Sequence, residues 1–404
     1  MPASCAATQD SALAGRRSAR DHGLLSLSRR FLACCSVLAL FGGAAQANPL
    51  AERLEAALQE YRRLAADPAV QDAWAEPLPP LGGRKLESGK RYAGLPLLLR
   101  RLKALGDLPA DTPMPAAYTG AAVEGVIAFQ RRHGLEPDGV IGRMTLAQLG
   151  VAPAVRLRQI ELNIERLHQT ERLAAPRMIV VNVPEFVLRG YATEGGQLKL
   201  KTRMRIIVGK ALATHTPVFS EDMRYIEFSP YWNVPPSIAR KETIPKLRRD
   251  PAYFDDQGFE FYANGKVITT LTAENLEAAL RGELRLRQRP GAKNALGGIK
   301  FVFPNNDDIY LHHTPSVRLF QRARRDFSHG CIRVEEPLAL ARFVLHDLPD
   351  WDDARILAAM DAGRLTTLPL PQPLPVVIAY LTAGVGEDGR IRFFPDIYGL
   401  DKLE

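Results

Sequence analysis

Near residue 176 the spacing of apolar residues changes period, and that change limits the chain to a helical part followed by a sheet. Before it, Leu54, Leu58, Tyr61 and Leu64, then Leu95, Leu98, Leu99, Leu102 and Leu105, recur at helical intervals. After it, the segments 178–183, 186–191, 198–200 and 204–208 read as strands, with further strand candidates at 223–228, 299–303 and 309–312. Helical patterns are confined to 236–249, 272–281, 335–347 and 351–362. Clustered strands with peripheral helices predict an α+β chain whose sheet is an open sandwich or barrel-like, not alternating βαβ units. The segments 376–381 and 390–394 flank Glu387-Asp388-Gly389 and predict a C-terminal hairpin at about 375–395.

The N-terminus carries a different signal. Arg29 and Arg30 precede an apolar stretch, 31–45, that ends in Ala45-Gln46-Ala47. A charged segment, a short apolar segment and a small-x-small site predict an export signal over 1–47, cleaved after Ala47. The stretch falls short of the ~20 residues that a bilayer span needs, and no comparable run follows, so no stable membrane span is expected after processing. At 404 residues, 46% hydrophobic and 24% charged, the chain suits two or three folded domains rather than disorder. Its net charge of +8 is spread along the sequence, which favours an acidic partner such as a wall polymer, or simply solubility, over nucleic acid. No Walker loop, dinucleotide fingerprint, Cys-x-x-Cys pair or His-Glu-x-x-His helix occurs, so no cofactor and no metal are expected.

Loss of 1–47 removes Cys5, Cys34 and Cys35 and leaves Cys331 alone. Exported cysteines usually pair, so a solitary one is either buried and inert or kept for its reactivity. Its surroundings are Tyr310-Leu311-His312-His313-Thr314-Pro315 and Asp326-Phe327-Ser328-His329-Gly330-Cys331-Ile332-Arg333-Val334. A histidine within reach of a thiol can take its proton and pass it to a leaving amine. Gly330 permits a tight backbone, and the Gly330 and Cys331 N–H groups, with His329 near, are candidates to face a developing oxyanion. Spacing alone also allows an unreactive thiol beside surface histidines. A zinc site from His312, His313 and His329 is disfavoured, because adjacent histidines rarely ligate one ion.

Three regions precede the sheet. Residues 48–90 hold a helix and a Pro/Gly-rich connector, 91–152 three short helices, and 153–175 a charged linker helix. Within 91–152, Phe129-Gln130-Arg131-Arg132-His133-Gly134-Leu135, Asp138-Gly139-Val140-Ile141-Gly142 and Thr145 resemble the peptidoglycan-binding type 1 domain, which implies wall targeting. The pattern His312-x-x-Pro315 followed by Ser328-His329-Gly330-Cys331-Ile332-Arg333 resembles the L,D-transpeptidase catalytic domain, the YkuD family. Arg333 stands where that family commonly has Asn, as in its YcbB-like subgroup, and the blocks around Asn182, Gly209, Thr216, Trp232 and 288–297 look like the same subgroup.

That resemblance implies a YkuD-like β-sandwich catalytic domain over 176–404, with a helical lid inserted at about 235–290. It implies Cys331 as nucleophile and His312 as general base and acid, with Pro315 fixing the register. His313, through its backbone carbonyl, or Ser328 would be a third member. Trp232 and Asn233 at one lid root, Arg289, Asn294 and Gly297 at the other, and Tyr310 and Arg333 beside the thiol are candidate substrate contacts. Trp232 as a core aromatic and 294–297 as a plain turn are equally open. The implied activity is 3→3 cross-linking of peptidoglycan stem peptides in the periplasm, with other wall synthases as possible partners. An L,D-carboxypeptidase or hydrolase using the same acyl-enzyme, or a catalytically silent wall-binding scaffold, are the alternatives.

Overall fold

Six helices open the computed structural model, which describes residues 49–170, 175–212 and 214–402. The expected export signal over 1–47, with Cys5, Cys34 and Cys35, lies outside the described residues. The helices are α1 (Pro49–Ala66), α2 (Pro68–Ala75), α3 (Leu95–Ala104), α4 (Ala121–Arg132), α5 (Arg143–Gly150) and α6 (Pro153–His168). The periodicity reading passed over α2. It starts because Asp67 Oδ1 accepts the Ala69 N–H at 2.8 Å and Pro68 occupies the first turn, where its missing donor costs nothing. Leu98, Leu102, Val126, Phe129 and Leu149 of α3–α5 bury one small core.

The sheet begins with β1 (Arg177–Asn182), β2 (Val187–Glu194), β3 (Gln197–Gly209) and β4 (Phe219–Phe228). An excursion follows: β5 (Trp232–Asn233), α7 (Pro236–Ile238), a π turn (Ala239–Thr243), α8 (Ile244–Arg249), α9 (Ala252–Asp256), β6 (Phe259–Ala263), β7 (Lys266–Ile268), α10 (Ala273–Arg281) and β8 (Arg285–Gln288). The chain returns through β9 (Ile299–Val302), β10 (Leu311–His312), β11 (Asp326–Ser328), β12 (Ile332–Val334), α11 (Pro337–Val344), α12 (Asp353–Met360) and β13 (Thr366–Ala379). It ends with β14 (Ala383–Val385) and β15 (Ile391–Phe393).

Eight strands pair in the order β3-β12-β10-β9-β4-β13-β1-β2, and β2 pairs again with β3. The sheet therefore closes on itself, with β11 added beside β3: the barrel-like form that the strand pattern allows is the one present, and the β-sandwich implied by the resemblance is corrected to it. The thirteen-residue β3 makes closure possible. It bonds β2 along Gln197–Arg205 and β12 at Ile206 and Ile207, and a bulge at Gly190/Tyr191 bends the β2 side. Ile179, Val181, Ile226, Phe301, Leu311 and Ile332 fill the interior together with Leu340 of α11. Burial of each side chain is worth about 1.5–3 kcal/mol, and Phe301→Ala would cost about 3–5 kcal/mol.

Two further expectations change. The insertion is not purely helical: β5-β8-β6-β7 form their own sheet, and Val234, Ile244, Leu247, Phe254, Phe261 and Leu286 form a core separate from the barrel's. The C-terminal hairpin is β14–β15, with Val385 opposite Ile391. Residues 376–379, read as its first arm, instead lie in β13 between β4 and β1. The hairpin packs under α1 and α6 and against α4. There Arg132 of α4 pairs with buried Asp107 and donates to the Ile391 carbonyl at 3.2 Å, and Arg390 reaches the same Asp107 at 2.9 Å. His133 is sealed between the rings of Phe129 and Phe393.

Candidate active site

Parallel pairing of β10 with β12 sets Leu311 beside Ile332 and His312 beside Arg333. Both Leu311 and Ile332 point into the barrel core. Side chains alternate along a strand, so Tyr310, His312 and Arg333 share the opposite face. Cys331 ends the turn just before β12, and the Ile332 N–H donates to the Tyr310 carbonyl at 3.1 Å. Cys331 thus extends the ladder opposite Tyr310 and lies diagonal to His312 on the same face of the sheet.

The turn carrying the thiol is tightly specified. Gly330 has φ +121°, a conformation that side-chain-bearing residues avoid. Ser328 Oγ accepts the Gly330 N–H at 3.1 Å and donates to the Cys331 carbonyl at 2.6 Å. Thr216 Oγ1 donates to the Gly330 carbonyl at 2.7 Å and accepts the Gly209 N–H at 2.9 Å, tying the turn to the end of β3. The Gly330 N–H is therefore engaged. The Cys331 N–H has no protein acceptor among the described residues and is the donor left to meet an oxyanion.

His312 is buried, and its Nδ1–H donates to the His313 carbonyl at 2.5 Å. That bond fixes the tautomer with Nε2 as the available base. Burial, then the charge of Arg333, holds its pKa down to about 3, while the His313 carbonyl works in the other direction. His313 is held in turn: its Nδ1 accepts the Gly298 N–H at 3.2 Å, and Gly297, at φ +62°, lies so close that a Cβ would collide with the ring. Burial pushes the Cys331 thiol up. The Tyr310 phenol and N–H, Lys300 and Arg333 pull it back. Lys300 Nζ sits 4.4 Å from the centre of the Tyr310 ring and pairs with Glu227 at 3.2 Å.

The thiol opens on a cleft of ≈1180 Å³ between the barrel and the insertion. Cys331, Tyr310, His329, Asp307 and Asp308 line the barrel side, and Asn233, Arg240 and Arg285 the insertion side. His329 crosses that gap, its Nε2 lying 2.6 Å from Glu242 Oε1 in the π turn. Asn233 faces the cleft, whereas Trp232 packs toward Phe259 in the insertion's core. Asn294 is buried and wholly engaged: Nδ2 donates to the carbonyls of Pro230 and Arg289 at 3.0 and 2.9 Å, and Oδ1 accepts the Leu296 N–H at 2.8 Å. It clasps the two roots of the insertion together. Arg289 is exposed outside the cleft, with its N–H on the Gly258 carbonyl at 2.9 Å. Arg333 Nε is buried with no partner, behind the thiol.

Sequence reasoning gave no role to Glu242, Thr216 or Asn305. Glu242 sits in a solvated helical pattern, far from the thiol in sequence. Thr216 stood only within a block of resemblance. Among the described residues no group of three or more His, Cys, Asp or Glu side chains is arranged to hold a metal ion, and no helix is long and apolar enough to cross a membrane.

Residues 176–378 match the L,D-transpeptidase catalytic domain family, YkuD, and residues 94–149 match the "Putative peptidoglycan binding domain". A Haemophilus influenzae protein named "Putative L,D-transpeptidase" is 34% identical over 225 residues, 55% of this chain and 44% of that one. The chain thus spans under half the length of that curated relative. The crystal structure of an L,D-transpeptidase from Xylanimonas cellulosilytica shares 14% identity over 74% of this chain and 100% of its own, at a TM-score of 0.22. The first of these matches takes in half of the chain and every residue of the Cys331 turn and its histidine strand, and on it the chain belongs to the YkuD family of L,D-transpeptidase catalytic domains.

Proposed function

We propose that the chain is an exported, wall-facing L,D-transpeptidase that forms 3→3 cross-links between peptidoglycan stem peptides through a Cys331 acyl-thioester. The observation that carries this reading is the arrangement of β10 and β12: a thiol at the cleft, a diagonal imidazole with a fixed tautomer, and an unengaged Cys331 N–H. In the first half-reaction Cys331 Sγ attacks the carbonyl at the L-centre of the third stem residue, and its proton passes to His312 Nε2. The Cys331 N–H faces the oxyanion, and loss of such a donor costs about 2.7–4 kcal/mol of barrier in other acyl-transfer enzymes. His312 gives the proton to the departing D-Ala amine. In the second half an amine of another stem attacks the thioester, and its proton returns to sulfur by the same imidazole. No step calls for a metal or nucleotide. Arg240 and Arg285 on the insertion wall suit the stem's carboxylates, and the helical unit suits attachment to the same polymer.

Intact-mass spectrometry of the chain with a carbapenem, beside Cys331→Ala, tests the nucleophile. One adduct on the parent and none on the variant is expected. A folded parent that forms no adduct would favour the silent wall-binding scaffold. Product analysis with donor alone and with excess acceptor separates the acceptors. Hydrolysis product in both reactions would turn the reading into an L,D-carboxypeptidase or cross-link hydrolase.

A further inference from the structure

Among the described residues the Cys331 thiol is the donor in one hydrogen bond, and its acceptor is not a histidine. Sγ lies 3.6 Å from the backbone carbonyl oxygen of Asp308, within reach of a weak S–H···O=C bond. A built loop presents that carbonyl. Asp308 sits at φ +53°, a left-handed conformation that is costly for a residue with a Cβ. Asn305 holds it there. Its Nδ2 donates to the carbonyls of Phe303 and Ile309 at 2.7 Å each, and its Oδ1 accepts the N–H groups of Asp307 and Ile309 at 3.0 Å each. Four bonds from one side chain thus set the direction of the Asp308 carbonyl. The Asp308 carboxylate itself is exposed.

The other groups around the sulfur favour the opposite proton state. Tyr310 ahead of β10, Lys300 on β9 and Arg333 on β12 all stabilise a negative sulfur. His312 is neutral behind it, and His329 of the same turn is directed to Glu242. Asp307 and Asp308 on the loop, and Arg240 and Arg285 on the insertion, complete the charged groups of the cleft. The thiol therefore stands between a carbonyl that accepts its proton and a phenol and two positive charges that favour its anion.

We propose that the Asp308 carbonyl is the resting acceptor of the Cys331 thiol proton, and that Asn305 is the positioning residue that aims it. This rests on the reading of Cys331 as nucleophile. When the donor carbonyl arrives, the S–H proton passes to His312 Nε2 and the sulfur electron pair forms the C–S bond; the C–N bond then breaks toward nitrogen, and His312 gives that proton to the departing amine. The Asp308 oxygen is left free to accept an N–H of the incoming amine. When that amine displaces the sulfur, the C–S bond breaks toward sulfur, His312 delivers the amine's proton to Sγ, and the S–H···O=C bond re-forms.

The test is the pH dependence of Cys331 alkylation by iodoacetamide in the full chain. It is read on the Cys331 peptide, because Cys5, Cys34 and Cys35 are also present. High salt screens the exposed Asp308 carboxylate. Asn305→Ala removes a bond that favours the protonated thiol and is expected to lower the midpoint by about half to one pH unit. Asp308→Gly keeps the carbonyl and its left-handed backbone and is expected to keep the parent's midpoint. Asn305→Ser, which loses both Nδ2 donors, decides the matter if the alanine variant does not fold. An unmoved midpoint in a folded Asn305 variant, or an equal shift in Asp308→Gly, would overturn the proposal. Alkylation needs no wall substrate. A shift without transpeptidation would sink only the functional reading, and an unshifted enzyme that still acylates would sink only this one.

Discussion

Ser328 and Cys331 are joined through a single hydroxyl: Ser328 Oγ donates to the Cys331 carbonyl at 2.6 Å while accepting the Gly330 N–H. Ser328 thereby sets the curvature of the turn and leaves the Cys331 N–H free. Ser328→Ala should slow carbapenem acylation by about tenfold, the equivalent of one or two hydrogen bonds, and Ser328→Thr should restore part of it. Second-order acylation rates by mass spectrometry check this. An alanine variant as fast as the parent would reduce Ser328 to a spacer.

Gly297 bears on His312 at two removes. A Cβ there would push the His313 ring, whose residue supplies the carbonyl that holds His312 Nδ1–H. Gly297→Ala also meets a positive φ, so a stability loss of about 1–3 kcal/mol is expected. Acylation should fall by more than about tenfold at temperatures where the variant remains folded. Thermal melts paired with acylation rates separate the two effects.

The imidazole of His312 is neutral above about pH 3, and the thiol is raised by burial. Neither group changes charge across the mildly acidic to neutral range. Acylation should therefore vary by less than about threefold between pH 5 and 8, with no break near the ordinary histidine pKa. Such a break in the pH–rate profile would point to a thiolate–imidazolium pair instead.

Stability, in contrast, should respond to acid. Burial, then the charges of Arg156 and Arg132, holds the pKa of His133 well below its usual value, and His312 is lowered in the same sense. The unfolded chain binds the extra protons, so this stability is complete above the ordinary histidine pKa of about 6.5 and is lost as pH falls below it. Denaturant midpoints at pH 7 and 4.5 should differ more for the parent than for His133→Phe. Equal differences would show that His133 contributes nothing to acid lability.

The His329–Glu242 contact spans the cleft between the Cys331 turn and the insertion. Both side chains are partly exposed, so the pair is worth only about 0.2–1 kcal/mol. Glu242→Gln should speed acylation by a bulky stem-peptide donor by about two- to fivefold, with a smaller effect on a compact β-lactam. Slower acylation with both would mean that the contact shapes the site instead of closing it.

Legibility followed local rules and failed where the tertiary frame decides. The Cys331 turn stands out because one cysteine and several histidines share a short stretch, and His312 is singled out from His313 only by the resemblance, through Pro315. The strand 366–375 has no such signal, because Pro369, Pro371, Pro373 and Pro375 interrupt the strand pattern. All four share one parity, so their missing donors fall on one edge, and β1 joins β13 only from Val376 onward. Sheet closure depends on β3 meeting β2 and β12 in succession, which strand periodicity does not encode. The resemblance offers Asn294 and Gly297 as substrate contacts because it sets them at a lid root, while the residues alone read equally well as a plain turn. The hydrogen bonds of Asn294 and the packing of Gly297 against His313 are visible only once the insertion's two roots meet.

Arg132 finds Asp107 only 25 residues away, but the carbonyl it also needs, at Ile391, lies 259 residues further along the chain. The helical unit therefore cannot complete its own burial when its residues first become available. Phe129, His133 and one side of Asp107 wait, uncovered, until the last hairpin is in place. Contacts of such sequence separation slow folding, because the loop must close before they contribute. The final strands thus act as the closing step for a unit that, in order of synthesis, comes near the beginning.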